Sequence, residues 1–192
     1  MTRLFLVRHG PTHARAMVGW SDIPADLSDH AAIARLDAFL PEDALVVSSD
    51  LVRATATADA IQGARDRLPH DPALREINFG RWELRTFNEI EAEDPDHIRA
   101  YWETPGDVAA PEGESWHQTH NRVSGAVDRL IRAHPGRALV VVCHFGAILT
   151  QVQRAAGLDN TQAFAHRIDN LSVTEIAITP DGWQVGRINH IP

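Results

Sequence analysis

The stretch LFLVRHG at residues 4–10 decides the fold: an unbroken apolar run that stops on a basic pair and a glycine. Two other stretches have the same form. LVV at 45–47 runs into SSDLVRATATADAI, and LVVVC at 139–143 runs into His144-Phe145-Gly146. Short, β-branched-rich runs without polar alternation suit strands buried on both faces, as in a parallel sheet covered by helices. The second and third runs lead into helical patterns, one from Asp50 as N-cap through Ile61 and one over Ile148 to Ala156. Ser28 is placed to cap a helix carrying Ala31 to Leu40. Ser115 with Gln118 forms a capping box that opens a helix to about Ala133. SVTEIAI and WQVGRI flank Thr179-Pro180-Asp181-Gly182, a hairpin signal. The expected architecture is an α/β domain over 1–192, with a mostly parallel sheet and an antiparallel edge. Between Phe79 and Trp116 periodicity is poor, so residues 79–116 are expected to form a lid-like excursion of short helices and loops.

Composition narrows the function. The 192 residues are 44% hydrophobic, enough for one well-buried core. The formal net charge of −8 disfavours nucleic acid as a partner. All 18 basic residues are arginine, which excludes P-loop and Schiff-base lysine chemistry and favours bidentate binding of phosphate. The single cysteine, Cys143, forbids an internal disulfide, and no apolar run is long enough for a signal core or a membrane span. A cytoplasmic protein without nucleic-acid or membrane partners is expected. A homodimer is compatible with the sequence.

Ligands of open parallel sheets sit beyond the carboxyl ends of the strands. Arg8, His9, Arg53 and His144 all fall at those ends. Two guanidinium groups, two imidazoles and backbone N–H donors make an anion site, and Gly10 permits close backbone approach after His9. A neutral histidine can attack phosphorus at neutral pH, with the cations offsetting transition-state charge. The leaving oxygen then needs an acid, which afterwards activates water.

Several other patterns carry less. His9 and His13 have metal-binding spacing, but Pro11 lies between them. His117 and His120 lack a supporting carboxylate pattern. Ser115 has no nucleophile elbow around it. A cysteine phosphatase would need Arg six residues after Cys143, where Leu149 stands. No metal and no cofactor is expected.

The chain resembles the histidine phosphatase superfamily, the group that includes cofactor-dependent phosphoglycerate mutases. The resemblance is carried by LVRHGPT at 6–12, GWSDIPADLS at 19–28, SSDLVRATATA at 48–58, LREINFGRWE at 74–83, PEGES at 111–115, VVCHFG at 141–146 and NLSVTEI at 170–176. It implies a three-layer α/β/α, phosphoglycerate mutase-like fold and a phosphohistidine intermediate. By resemblance His9 is the nucleophile, Arg8 and Arg53 bind phosphate, His144 assists, and Glu76 is the proton donor, with Glu83 a rival. Thr12 either bonds phosphate or caps a turn. Asn170 is expected near the bound substrate, as a backbone-bonding residue rather than a catalyst. Three positions depart from the family pattern: Arg15 where Asn is common, Leu84 where Trp-Glu-Gly is usual, and Phe145 where Gly is commoner. Within the superfamily the chain is most similar to short phosphatases of the alpha-ribazole phosphatase type. The expected reaction is hydrolysis of a small phosphate ester, with mutase-type transfer as the alternative and an inactive phosphate-binding homologue as a third reading. Phe79, Trp82, Phe87, Tyr101, Trp102 and Trp116 either line an aromatic mouth for a nucleotide-like ester or form the core of the excursion.

Overall fold

The computed structural model describes residues 1–192. Five strands form one sheet in the order β2-β3-β1-β4-β5. They are β1 (Thr2–Arg8), β2 (Leu45–Ser48), β3 (Ala138–Cys143), β4 (Val173–Thr179) and β5 (Gly182–Val185). β1 and β2 both pair parallel with β3. β4 runs antiparallel to β1, and β5 antiparallel to β4, with Thr179 opposite Gly182 across the hairpin. The sheet is therefore mixed, with its parallel part at β2-β3-β1.

The unbroken apolar runs have a direct explanation. Successive side chains of a strand point to opposite faces, and both faces here are covered. Leu4 and Leu6 of β1, with Leu139, Val141 and Cys143 of β3, belong to one buried cluster. Phe5, Val7, Val140 and Val142 belong to the other. The first cluster packs under α5 (Trp116–Ala133) and α6 (Phe145–Ala156); the second packs under α1 (His30–Phe39) and α2 (Val52–Ala60). The connections from β1 and β3 thus leave to opposite faces. That opens a crevice beyond the carboxyl ends of these adjacent strands, where such sheets bind ligands.

Local signals hold with three corrections. The Ser115–Gln118 capping box is present, and the helix ends at Ala133. Helix α1 is capped by Asp29, whose side chain accepts from the Ala32 N–H, rather than by Ser28. Asp50 does not cap α2. It receives two hydrogen bonds from Arg75, at 2.7 and 2.6 Å, while the Val52 N–H is met by Asp22 from a distant loop at 2.7 Å. Helix α6 starts at Phe145, three residues earlier than its apolar pattern suggests, with His144 at the N-cap.

Between Phe79 and Trp116 the chain forms a 3-10 turn (Gly80–Trp82), α3 (Phe87–Glu93) and α4 (Pro95–Glu103). α7 (Asn160–Phe164) follows α6. Trp82, Tyr101 and Trp116 are buried, and Trp102 packs edge-on against Tyr101 and Phe164. These rings hold the excursion together. Of the six, Phe79 alone lines the cleft formed at Arg8 and His9, and Phe87 is exposed. No helix is long and apolar enough to cross a membrane.

Candidate active site

Arg8, His9, Arg53 and Glu76 meet in one cleft of about 190 Å³, which Thr12, Ala14, Ala16, Met17, Val18, Phe79 and Phe145 complete. His9 follows β1 and is tied down on three sides. Its N–H donates to the Cys143 carbonyl at 3.1 Å, and its own carbonyl accepts from Asn170 Nδ2 at 2.8 Å. Its Nδ1 lies 2.7 Å from the Gly10 carbonyl. A carbonyl can only accept, so Nδ1 carries the hydrogen and Nε2 carries the lone pair. The Arg53 Nε–H donates to that lone pair at 3.2 Å.

Burial and the nearby Arg53 charge lower the His9 pKa from 6.5 to about 3; the Gly10 carbonyl opposes this and Arg8 adds to it. His9 is therefore neutral at physiological pH with Nε2 oriented into the cleft, the state a phosphorus nucleophile needs.

Arg53 is fixed by two backbone carbonyls, Ser21 at 2.8 Å from Nη1 and Gly19 at 2.5 Å from Nη2. Arg8 donates from Nη1 to the Ile168 carbonyl at 2.6 Å, and its Nε is buried without a partner. Its guanidinium also lies 5.5 Å from the Phe145 ring centre. Phe145, the departure from the usual Gly, thus forms a wall of the cleft.

Glu76 is buried, and burial raises its pKa against the opposing pull of the Ile77 and Gly146 N–H groups, Arg53 and Arg8. A carboxyl that holds its proton beyond the ordinary range suits a general acid. Its backbone is braced as well. The Glu76 carbonyl accepts from Trp20 Nε1 and Arg122 Nη2, both at 2.9 Å. Arg122 in turn holds both oxygens of Glu114 at 2.7 Å.

Glu83 sits in a different environment. Its carboxylate accepts from the N–H groups of Gly19, Trp20, Ser21 and Phe79 and from Ser21 Oγ, at 2.6 to 3.2 Å. It holds together the loop that presents the Gly19 and Ser21 carbonyls to Arg53, and it does not line the cleft.

His144 is fully buried beside His9, with ring centres 5.0 Å apart, and is not on the wall of the cleft. The expected role of Gly10 differs. The Gly10 N–H donates to Thr57 Oγ1 at 3.0 Å, so it is not a free phosphate donor; a side chain there would collide with Leu27. Asn170 bonds the His9 backbone next to the cleft and does not line its wall. Arg15 is exposed and absent from the wall, between the lining residues Ala14 and Ala16. Thr12 does line it, and its Oγ1 also receives the Ala14 N–H at 3.4 Å, a weak turn contact.

The sequence reading missed Ser49 and Thr57. Ser49 Oγ lies 2.6 Å from His144 Nε2, and Thr57 holds Gly10 while donating to the Arg53 carbonyl at 2.7 Å. Their signal is spacing: Ser49, Arg53 and Thr57 stand four residues apart, one stripe along α2 and its approach.

A histidine, two arginines and a buried carboxyl meet at the crevice of a mixed α/β sheet on a phosphoglycerate mutase-like fold. The chain belongs to the histidine phosphatase superfamily (branch 1), whose family model matches residues 4–191. Among solved structures it is similar to YhfR of Bacillus stearothermophilus, with a TM-score of 0.91, 28% identity, and coverage of 100% of this chain and 98% of that one. It is also similar to the alpha-ribazole phosphatase of Shigella flexneri, with a TM-score of 0.84, 25% identity, and coverage of 98% and 96%. A protein of Cronobacter sakazakii named "Probable phosphoglycerate mutase GpmB" is 28% identical over 191 residues, covering 95% of this chain and 88% of that protein.

Proposed function

We propose that this protein is a metal-independent phosphomonoesterase that works through a phosphohistidine at His9. The observation that carries this reading is the neutral His9 imidazole, clipped at Nδ1 by Gly10 and presenting Nε2 beside Arg53. The arginines and His144 bind the phosphoryl oxygens and Nε2 attacks phosphorus. The ester oxygen leaves with the proton of Glu76. The Glu76 carboxylate then takes a proton from water, which attacks the phosphohistidine. Inorganic phosphate departs and both residues return to their starting states.

The cleft favours hydrolysis over mutase transfer. Arg8 and Arg53 are the cations on its wall, and the rest is chiefly Ala14, Ala16, Met17, Val18, Phe79 and Phe145. A mutase needs a second anion site for the bisphosphorylated intermediate, and no further arginine lines this one. An apolar wall suits an ester such as alpha-ribazole phosphate, and the similarity to an alpha-ribazole phosphatase supports that substrate.

Pure protein incubated with a panel of phosphate monoesters, with and without EDTA, tests this. Release of free phosphate, unaffected by chelator and fastest for apolar or aromatic esters, is expected. Transfer between the carbons of phosphoglycerate as the main activity, or EDTA inhibition reversed by a divalent metal, would overturn it.

A further inference from the structure

Ser49 and His144 are both fully buried, one after β2 and the other after β3. Ser49 Oγ sits 2.6 Å from His144 Nε2 and makes no other hydrogen bond. His144 Nδ1 is buried with no partner. Since β3 lies between β2 and β1, the imidazole spans from Ser49 on one side to His9 on the other.

The two neutral tautomers of His144 leave different groups unpaired. If Nε2 carried the hydrogen, Ser49 would accept it. The serine O–H would then have no acceptor, and the Nδ1 lone pair would have no donor. If Nδ1 carries the hydrogen, the Ser49 O–H donates to Nε2, and the one group left unpaired is the Nδ1 N–H. Unpaired buried polar groups are costly, so the second arrangement is favoured. It also leaves a donor near His9, where an anion is to be held. A lone pair there would repel a phosphoryl oxygen. Burial, reinforced by His9 and Arg53, lowers the His144 pKa well below the ordinary range, so this residue meets its ligand neutral and the tautomer matters.

We propose that Ser49 is a positioning residue that holds His144 as the Nδ1–H tautomer, so that this N–H donates to the phosphoryl group on His9. The proposal rests on the phosphohistidine reading for the identity of the acceptor, but the tautomer itself does not.

Long-range nitrogen-15 spectra of the uniformly labelled protein read the tautomer directly, with the His144 signals identified by their loss in His144→Gln. Wild type is expected to show hydrogen on Nδ1. Ser49→Ala is expected to shift the population toward Nε2–H, and Ser49→Thr, which keeps the hydroxyl, to retain Nδ1–H. Orthovanadate should bind about tenfold more weakly to Ser49→Ala, the loss of one well-formed hydrogen bond, and kcat/KM should fall by a similar factor. Wild-type hydrogen on Nε2, or an unchanged Nδ1–H in folded Ser49→Ala, would overturn the proposal. If Ser49→Ala does not fold, the wild-type tautomer decides. Failure of the phosphatase reading looks different: no ester is hydrolysed, yet the tautomer assignment and its dependence on Ser49 stand.

Discussion

The Gly146 N–H donates to both carboxylate oxygens of Glu76, at 2.9 and 3.1 Å. Gly146 is the second residue of α6. The Glu76 carboxyl therefore sits at a helix N-terminus, where free N–H groups and the helix dipole favour negative charge. Burial acts in the opposite direction and prevails. A carboxyl so balanced can both lose and regain its proton in one catalytic cycle. A Cβ on Gly146 would overlap Glu76 Oε1 and the Ile77 side chain. Gly146→Ala is expected to lower kcat by about 10- to 100-fold by misplacing the acid, and to cost about 1–3 kcal/mol by overpacking. Wild-type kcat in this variant would show that Glu76 does not need its present position.

Glu76→Gln should slow hydrolysis most for alkyl phosphates and least for activated aryl phosphates, since a general acid matters most to a basic leaving group. Its raised pKa keeps the protonated form present at higher pH than an ordinary carboxyl. The wild-type kcat/KM is expected to fall as pH rises through that pKa, and the Gln variant to lack this limb. A leaving-group series measured across pH for both proteins checks the two effects together.

His9→Ala should abolish turnover, and rapid quenching of wild type with labelled substrate should trap phosphate on His9. The same residue links stability to pH. Its folded pKa of about 3 lies below the unfolded value, so the unfolded chain takes up a proton that the native state refuses. The stability associated with His9 is complete above about pH 6.5 and is lost as pH falls toward 3, by about 2 kcal/mol at pH 5. Urea unfolding at pH 7.5 and pH 5 should show this slope, and His9→Asn should flatten it. Equal slopes in both proteins would mean that His9 titrates normally.

Glu83→Gln should behave as a structural lesion. Its carboxylate gathers five donors from the 19–21 loop and Phe79, and an amide offers one acceptor oxygen in place of two. A loss of about 2 kcal/mol is expected, seen as a lower Tm, with equal rate losses across leaving groups. If Glu83→Gln shows leaving-group dependence and Glu76→Gln does not, their roles must be exchanged.

Leu84 occupies φ +63°, a left-handed conformation, with its side chain mostly exposed. Its backbone is fixed there by the Met17 carbonyl, which accepts the Leu84 N–H at 2.8 Å. Leu84→Gly should relieve about 1 kcal/mol of strain, partly offset by unfolded-state entropy, for a net gain of about 0.5 kcal/mol. Leu84→Ala keeps a Cβ and should not gain. Denaturant midpoints of the three proteins decide it.

Much of the fold was legible because burial on both sheet faces erases polar alternation in β1, β2 and β3, and few other structures leave that trace. Capping was legible where donor and acceptor are neighbours, as at Ser115 and Gln118. It failed at α2, because Asp50 is held by Arg75 and the helix is capped by Asp22, a partner 30 residues away. The aromatics of residues 79–116 were visible as a group. Which of them face a cleft and which face each other depends on how α3 and α4 pack, and local pattern does not encode that.

The sequence by itself determined the chemical inventory and its placement. Arg8, His9, Arg53 and His144 stand at or just after the ends of parallel strands or on the helix beyond, so local order and strand polarity bring them to one end of the sheet. The tertiary structure decided which state each group is in. His9 is neutral because neighbours distant in sequence bury it, and its tautomer follows from the direction of the Gly10 carbonyl. Glu76 and Glu83 are seven residues apart and alike in composition. One is desolvated above the α6 N-terminus, and the other is wrapped in donors from the 19–21 loop. Protonation and hydrogen-bond direction depend on desolvation and on the full set of neighbours, and these exist only once the chain has folded.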